Sequence, residues 1–151
     1  DDADCAIVVL GSTAGTVKSV VNELRREGKR VGLVKIRVFR PFPVQRLVRA
    51  LTKVEAVAVL DRSIAFGSAG GPVFDEIRSS LFGSGVSQDG LKVVNYIYGL
   101  GGREINESHI EFVYAELMNI LHTGLTGSDV RYLGLRESNV EQIVMRLEEQ
   151  K

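Results

Sequence analysis

Short unbroken apolar runs alternate with segments whose apolar residues recur at helical spacing, and this alternation constrains the chain to a layered α/β sheet. Cys5-Ala-Ile-Val-Val-Leu10 is the first such run. An uninterrupted run suits a strand covered on both faces, since successive side chains point to opposite sides and both sides need burial. Gly11-Ser-Thr-Ala-Gly15 breaks it. Val17, Val20, Val21 and Leu24 then share one helix face, and Gly28 follows as a stop. Val31 to Phe39 is the second run, closed by Pro41 and Pro43, with Val44, Leu47, Val48 and Leu51 marking a short helix. Glu55 to Leu60 is a third strand, followed by the glycine-rich Phe66-Gly-Ser-Ala-Gly-Gly71. Pro72 opens the next helix, where a missing N–H costs nothing, and Val73, Phe74, Ile77 and Leu81 line it.

After a loop from Gly83 to Gly90, Leu91 to Tyr98 reads as a fourth strand, closed by Gly99-Leu-Gly-Gly102. Ile110, Val113, Leu117, Ile120 and Leu121 mark the longest amphipathic helix, and Val130 to Leu135 reads as a fifth, edge strand. Ser138-Asn-Val-Glu141 has the form of a capping box, ahead of a last helix carried by Val140, Ile143, Val144 and Leu147. The expectation is one α/β domain over residues 1–151, with three layers (α/β/α) around a mostly parallel five-stranded sheet. Right-handed crossovers place every strand-to-helix turn on the carboxyl edge of such a sheet. Three glycine-bearing turns therefore gather there: Gly11 to Thr16, Asp61 to Gly71 and Gly99 to Arg103. Ligands of open α/β sheets favour that edge.

Composition removes several function classes. Lys plus Arg equals Asp plus Glu at 19 each, which argues against a general nucleic-acid binder and against a polybasic membrane patch. Apolar runs reach six residues at most, against the roughly 20 that span a bilayer. The acidic start Asp1-Asp2-Ala3-Asp4 lacks the basic and long apolar stretches of a signal peptide, and with no initial Met the chain reads as a fragment of a longer one. The single cysteine, Cys5, excludes an internal disulfide, a cysteine-held iron–sulfur cluster and a four-cysteine zinc site. Its place in an apolar strand makes it a small buried hydrophobe, suited to a reducing cytoplasm.

The turn motifs each admit two readings. Gly11, Ser12, Thr13, Gly15 and Thr16 are candidates to cradle a phosphate or carboxylate at a helix N-terminus. The plainer reading is a tight strand–helix turn with Ser12 or Thr13 as N-cap. The sequence is neither a Walker loop nor G-x-G-x-x-G, and Thr13 stands where a nucleophile elbow needs Ser. Arg37 and Arg40, braced by Pro41 and Pro43, suit an interface or a structural ion pair, with direct contact to a carboxylate or phosphate ligand as the other reading. Asp61 and Arg62 end the third strand, and no ligand partner at metal spacing adjoins Asp61, so loop bracing is its expected work. Gly70, Gly71, Gly101 and Arg103 complete this set of interface or loop-bracing candidates. His109 and His122 flank the long helix as surface or capping residues, beside no activated nucleophile. No catalytic residue and no metal ligand is assigned.

Three segments in register carry a family resemblance: Val31-Gly-Leu-Val-Lys-Ile-Arg-Val-Phe-Arg-Pro-Phe42, Val59-Leu-Asp-Arg62 and Tyr98-Gly-Leu-Gly-Gly102. With Val9-Leu-Gly-Ser-Thr-Ala-Gly15 and Phe66 to Gly71, they resemble domain II of pyruvate:ferredoxin oxidoreductases, the C-terminal part of the alpha subunit in multi-subunit forms. The resemblance covers roughly residues 5 to 120. It implies a fold like the C-terminal domain of transketolase, with one antiparallel edge strand among the five. It also implies a parent enzyme that decarboxylates a 2-oxoacid on thiamine diphosphate with magnesium. That enzyme passes electrons through iron–sulfur clusters to ferredoxin and transfers the acyl group to coenzyme A. The Gly-Asp-Gly motif and cysteine clusters that hold those cofactors in the family lie in its other domains, so this chain is expected to be a non-catalytic module packed on other domains and subunits. The competing reading is a stand-alone module binding a nucleotide or coenzyme A phosphate at Gly11 to Thr16. An independent hydrolase is disfavoured for lack of a nucleophile–base pair.

Overall fold

A computed structural model describes residues 2–86 and 90–135. The elements run β1 (Cys5–Leu10), α1 (Ala14–Arg26), β2 (Val31–Ile36), α2 (Val44–Leu51), β3 (Ala56–Asp61), α3 (Pro72–Gly83), β4 (Lys92–Ile97), α4 (Glu107–Thr123) and β5 (Val130–Tyr132). A single 3-10 turn, Leu100–Gly102, lies between β4 and α4. The capping box at Ser138 to Glu141 and the last helix expected from Val140, Ile143, Val144 and Leu147 lie outside the described residues.

The five strands form one sheet in the order β2-β1-β3-β4-β5, a doubly wound arrangement whose order reverses at the seam between β1 and β3. Alternation sorts the side chains into two cores. Cys5, Ile7 and Val9 of β1, Ala58 and Leu60 of β3 and Tyr96 of β4 face α1 and α4. Val8, Val57, Val59 and Ile36 face α2 and α3. Both faces are covered, which is why β1 and β3 read as continuous apolar runs.

The resemblance implied an antiparallel edge strand, and the structure corrects this. β5 pairs parallel with β4, with Asn95 opposite Val130 and Ile97 opposite Tyr132. The cause is α4. Its 17 residues run about 25 Å, so the helix returns the chain to the amino edge of the sheet, and a strand starting there must run with its neighbours. α4 is closed at both ends. Asn106 Oδ1 accepts from the His109 N–H at 3.1 Å, and His109 Nδ1 accepts from the Asn106 N–H at 3.2 Å. Gly124 ends the helix in the left-handed region with φ 72°. Among the described residues no helix is long and apolar enough to cross a membrane.

Candidate functional site

The carboxyl edge collects the turns after β1, β3 and β4, as the crossover rule requires. Its chemistry starts from Asp61, the last residue of β3, which is 3% exposed. Asp61 Oδ1 accepts the Val73 N–H at 3.0 Å, and Oδ2 accepts the Phe74 N–H at 3.1 Å. These are orphan donors in the first turn of α3, so the carboxylate caps the helix that follows the glycine-rich loop. Burial pushes the Asp61 carboxyl above its ordinary range, and the N–H bonds oppose that shift.

Asn95 completes the brace. It is fully buried in β4 on the α3 side, where its Nδ2 donates to Asp61 Oδ2 at 3.1 Å and to the Val59 carbonyl at 2.9 Å. Its Oδ1 accepts the Gly71 N–H at 2.8 Å. Sequence reasoning missed Asn95, although an amide inside the apolar run Val93-Val-Asn-Tyr-Ile97 was an available signal, because a buried polar side chain needs partners. Gly70 and Gly71 are explained by the same brace. A Cβ at Gly71 would fall on the Asp61 side chain, and one at Gly70 would meet the Phe74 ring and Asn95 Oδ1.

The β1 turn behaves differently from its expected capping role. Thr13 is the N-cap of α1, but it has helical backbone angles and its hydroxyl makes no cap bond. That hydroxyl instead meets the Tyr98 hydroxyl at 2.9 Å, tying the turn after β1 to the end of β4. Ser12, Thr13, Thr16, Arg62, Tyr98, Arg103 and Glu104 line a cleft of about 440 Å³ beside the α1 N-terminus. Gly11 enters the turn at φ 88°, and Gly15 lies in the first turn of α1.

The arginines separate into distinct environments. Arg40 pairs with Glu76 at 2.6 Å and lies over the Phe39 ring at 4.1 Å. Arg37 is exposed and has no ion pair among the described residues. Arg62 lies 5.8 Å above the Tyr98 ring, and Arg103 donates to the Gly134 carbonyl. Gly101 occupies the left-handed region at φ 67°, in the turn that precedes Arg103. His109 belongs to the α4 cap and His122 to its last turn, on no common site. Cys5 is buried, and burial pushes its thiol up to about 11.

Among the described residues no three His, Cys, Asp or Glu side chains come together to hold a metal ion. Both oxygens of Asp61 are already committed to N–H donors, and Cys5 is isolated in the sheet. The described residues therefore do not fit a magnesium site or a cysteine-held cluster.

The model of the pyruvate:ferredoxin oxidoreductase core domain II matches residues 3–110. The pyruvate synthase subunit PorA of Thermotoga maritima is 42% identical over 137 residues, 91% of this chain and 33% of that protein. The ketoisovalerate oxidoreductase subunit VorA of Pyrococcus furiosus is 38% identical over 136 residues, 90% of this chain and 34% of that protein. The alpha subunit of the NADH-dependent phenylglyoxylate dehydrogenase of Aromatoleum evansii is 37% identical over 137 residues, 91% of this chain and 32% of that protein. The chain thus spans about a third of the length of the curated relatives it matches. It belongs to the pyruvate:ferredoxin oxidoreductase core domain II family.

Proposed function

We propose that this chain is a non-catalytic, structural domain of the alpha subunit of a 2-oxoacid:ferredoxin oxidoreductase. The whole assembly, on this reading, oxidatively decarboxylates pyruvate to acetyl-coenzyme A and reduces ferredoxin in the cytoplasm. Thiamine diphosphate, magnesium, iron–sulfur clusters and coenzyme A are then held by its other domains and subunits. The observation that carries the reading is the state of Asp61. Asp61, the carboxylate that ends β3, has its oxygens occupied by the α3 amides and Asn95, which suits it to bracing a loop and not to exchanging protons with a substrate. The relatives support the same division of labour. They are named for pyruvate, ketoisovalerate and phenylglyoxylate, one of them as NADH-dependent, while sharing this domain. A part kept across different substrates and electron partners suits a scaffold better than a specificity element.

The test uses the purified full-length assembly. Thr13→Val, Tyr98→Phe and Arg62→Lys should leave pyruvate-dependent ferredoxin reduction per assembled molecule within a few-fold of the parent. A general acid–base or substrate-binding role would instead cost roughly 10²–10⁴ in kcat or kcat/KM with assembly intact, and that result would overturn the proposal.

A further inference from the structure

Resting on that reading, we infer that the carboxyl edge of the sheet is a docking face, and that its occupant is an apolar, carboxylate-bearing surface of the rest of the full-length polypeptide. The carboxyl edge of the sheet gathers more exposed apolar side chains than the amino edge, where Phe82 and Leu125 are the exposed ones among the described residues. At the amino edge the turns carry Glu27, Lys29, Arg30, Thr52, Lys53 and Glu55. Charges there pair locally, Lys29 with Glu27 at 2.8 Å and Arg30 with Asp4 at 3.0 Å. At the carboxyl edge, β1 ends on an exposed large apolar side chain, and β2, β3 and β4 are each followed by one. Leu10 is 37% exposed, Val38 53%, Ile64 43% and Leu100 39%, while Phe66 is fully open to solvent at 108%. Apolar residues gathered on one face in this way mark a surface that another surface covers.

The loop backbone that carries Phe66 is held in place. It is closed by the Ala65 N–H to the Gly70 carbonyl at 2.9 Å and by the Ser68 N–H to the Ala65 carbonyl at 3.1 Å. Ser68 also bonds Asp75, and the Asp61–Asn95 brace fixes the far end at Gly71. An aromatic side chain carried on a bonded loop over a buried polar frame suits an interface anchor, because the ordering cost of its backbone is met before association.

The charge on this face specifies the partner's chemistry. Arg62 and Arg103 line the cleft with Glu104 as its one carboxylate, and neither arginine has an ion pair among the described residues. Arg37 adds a third such guanidinium. The first turns of α3 and α4 bring Asp75 and Glu107 to the same edge, so these guanidinium groups stand out by lacking ion pairs and not by a net excess of charge. Guanidinium groups match carboxylates in geometry and charge. The two thirds of the relatives' length that this chain does not span supplies the polypeptide to carry them.

The experiment is hydroxyl-radical footprinting of the purified full-length assembly, with the denatured chain as reference. Phe66 should label roughly tenfold more slowly in the assembly, as expected for a side chain from which water is excluded. In parallel, carbodiimide coupling of an Arg103→Lys variant should join residue 103 to Asp or Glu in the polypeptide outside residues 1–151. Phe66 labelling at the denatured rate would overturn the inference, as would coupling confined to this domain or to a second copy of it. Activity keeps the two proposals apart. A protected Phe66 in an assembly inert toward every 2-oxoacid would sink the functional reading alone, whereas an exposed Phe66 in an active assembly would sink the docking face alone.

Discussion

Asn95 lies between Asp61 and Gly71, donating to the carboxylate of one at 3.1 Å and accepting from the amide of the other at 2.8 Å. One amide thereby couples the end of β3 to the start of α3 and sets the exit angle of the glycine-rich loop. Asp61 accepts from three donors, so losing its charge does not relieve the site. Asp61→Asn would turn an N–H toward an N–H, and it should cost about 1–3 kcal/mol of stability, the usual penalty for a buried group left without a partner. Asn95→Asp would set two buried carboxyls together and aim one at the Val59 carbonyl. It should cost about 3 kcal/mol or more. Urea unfolding of the chain reads both, and near-parent stability in Asn95→Asp would show that the brace contributes little.

The same carboxylate gives a pH signature. Burial holds Asp61 above its ordinary value of 3.8, against the opposing bonds from Val73, Phe74 and Asn95. A group with a raised native pKa binds its proton more readily folded than unfolded. Its contribution is therefore gained as pH falls through the raised value and lost as pH rises. The stability gap between the parent and Asp61→Asn should widen on acidification from neutral pH toward 4. A gap that narrows would mean that the N–H donors outweigh burial.

Two glycines of the edge should respond unequally to alanine. Gly71 has ordinary backbone angles, but its added Cβ would overlap Asp61, which cannot retreat without breaking its helix bonds. Overpacking of this kind should cost about 3 kcal/mol. Gly101 has open space around it and pays only for its φ of 67°, about 1 kcal/mol. Thermal or urea midpoints should rank Gly71→Ala well below Gly101→Ala. The reverse order would indicate that backbone conformation, not the close approach to Asp61, selects glycine here.

Cys5 should be silent toward thiol reagents in the folded chain. Its thiol is pushed up to about 11 by burial, with Asp4 nearby adding to the shift. At pH 8 almost no thiolate exists to react, and the sulfur lies in the sheet. Labelling by a chromogenic disulfide should follow unfolding. Stoichiometric reaction within minutes under native conditions would contradict this packing.

Much of the architecture was legible because the central strands β1 and β3 are buried on both faces and each helix on one. The runs at Cys5 to Leu10 and Glu55 to Leu60 differ visibly from the spaced pattern of Val17, Val20, Val21 and Leu24. The direction of β5 was not legible in the same way. Three residues carry little pattern, and it is the length of α4 that fixes which way the strand runs. At the edge, the gathering of three glycine turns followed from the handedness of crossovers. Which side chains meet there did not. Thr13 and Tyr98 are 85 positions apart, and Asn95 acts through an amide whose partners come from two other segments, β3 and the loop end at Gly71. Such pairings depend on strand register, which a hydrophobic pattern specifies only in parity.

The position of β1 in the sheet bears on how the chain leaves the ribosome. β1 is made first among the strands, yet it lies inside the sheet, with Cys5 opposite Val31 on one side and Ala56 on the other. One flank can be closed once β2 has been made, but the other has no partner until residues 56–61 emerge. Through the synthesis of α1, β2 and α2 the nascent chain thus carries an open edge of Ile, Val and Leu, the kind of template to which a neighbouring chain adds a strand. Completion of β3 seals that flank.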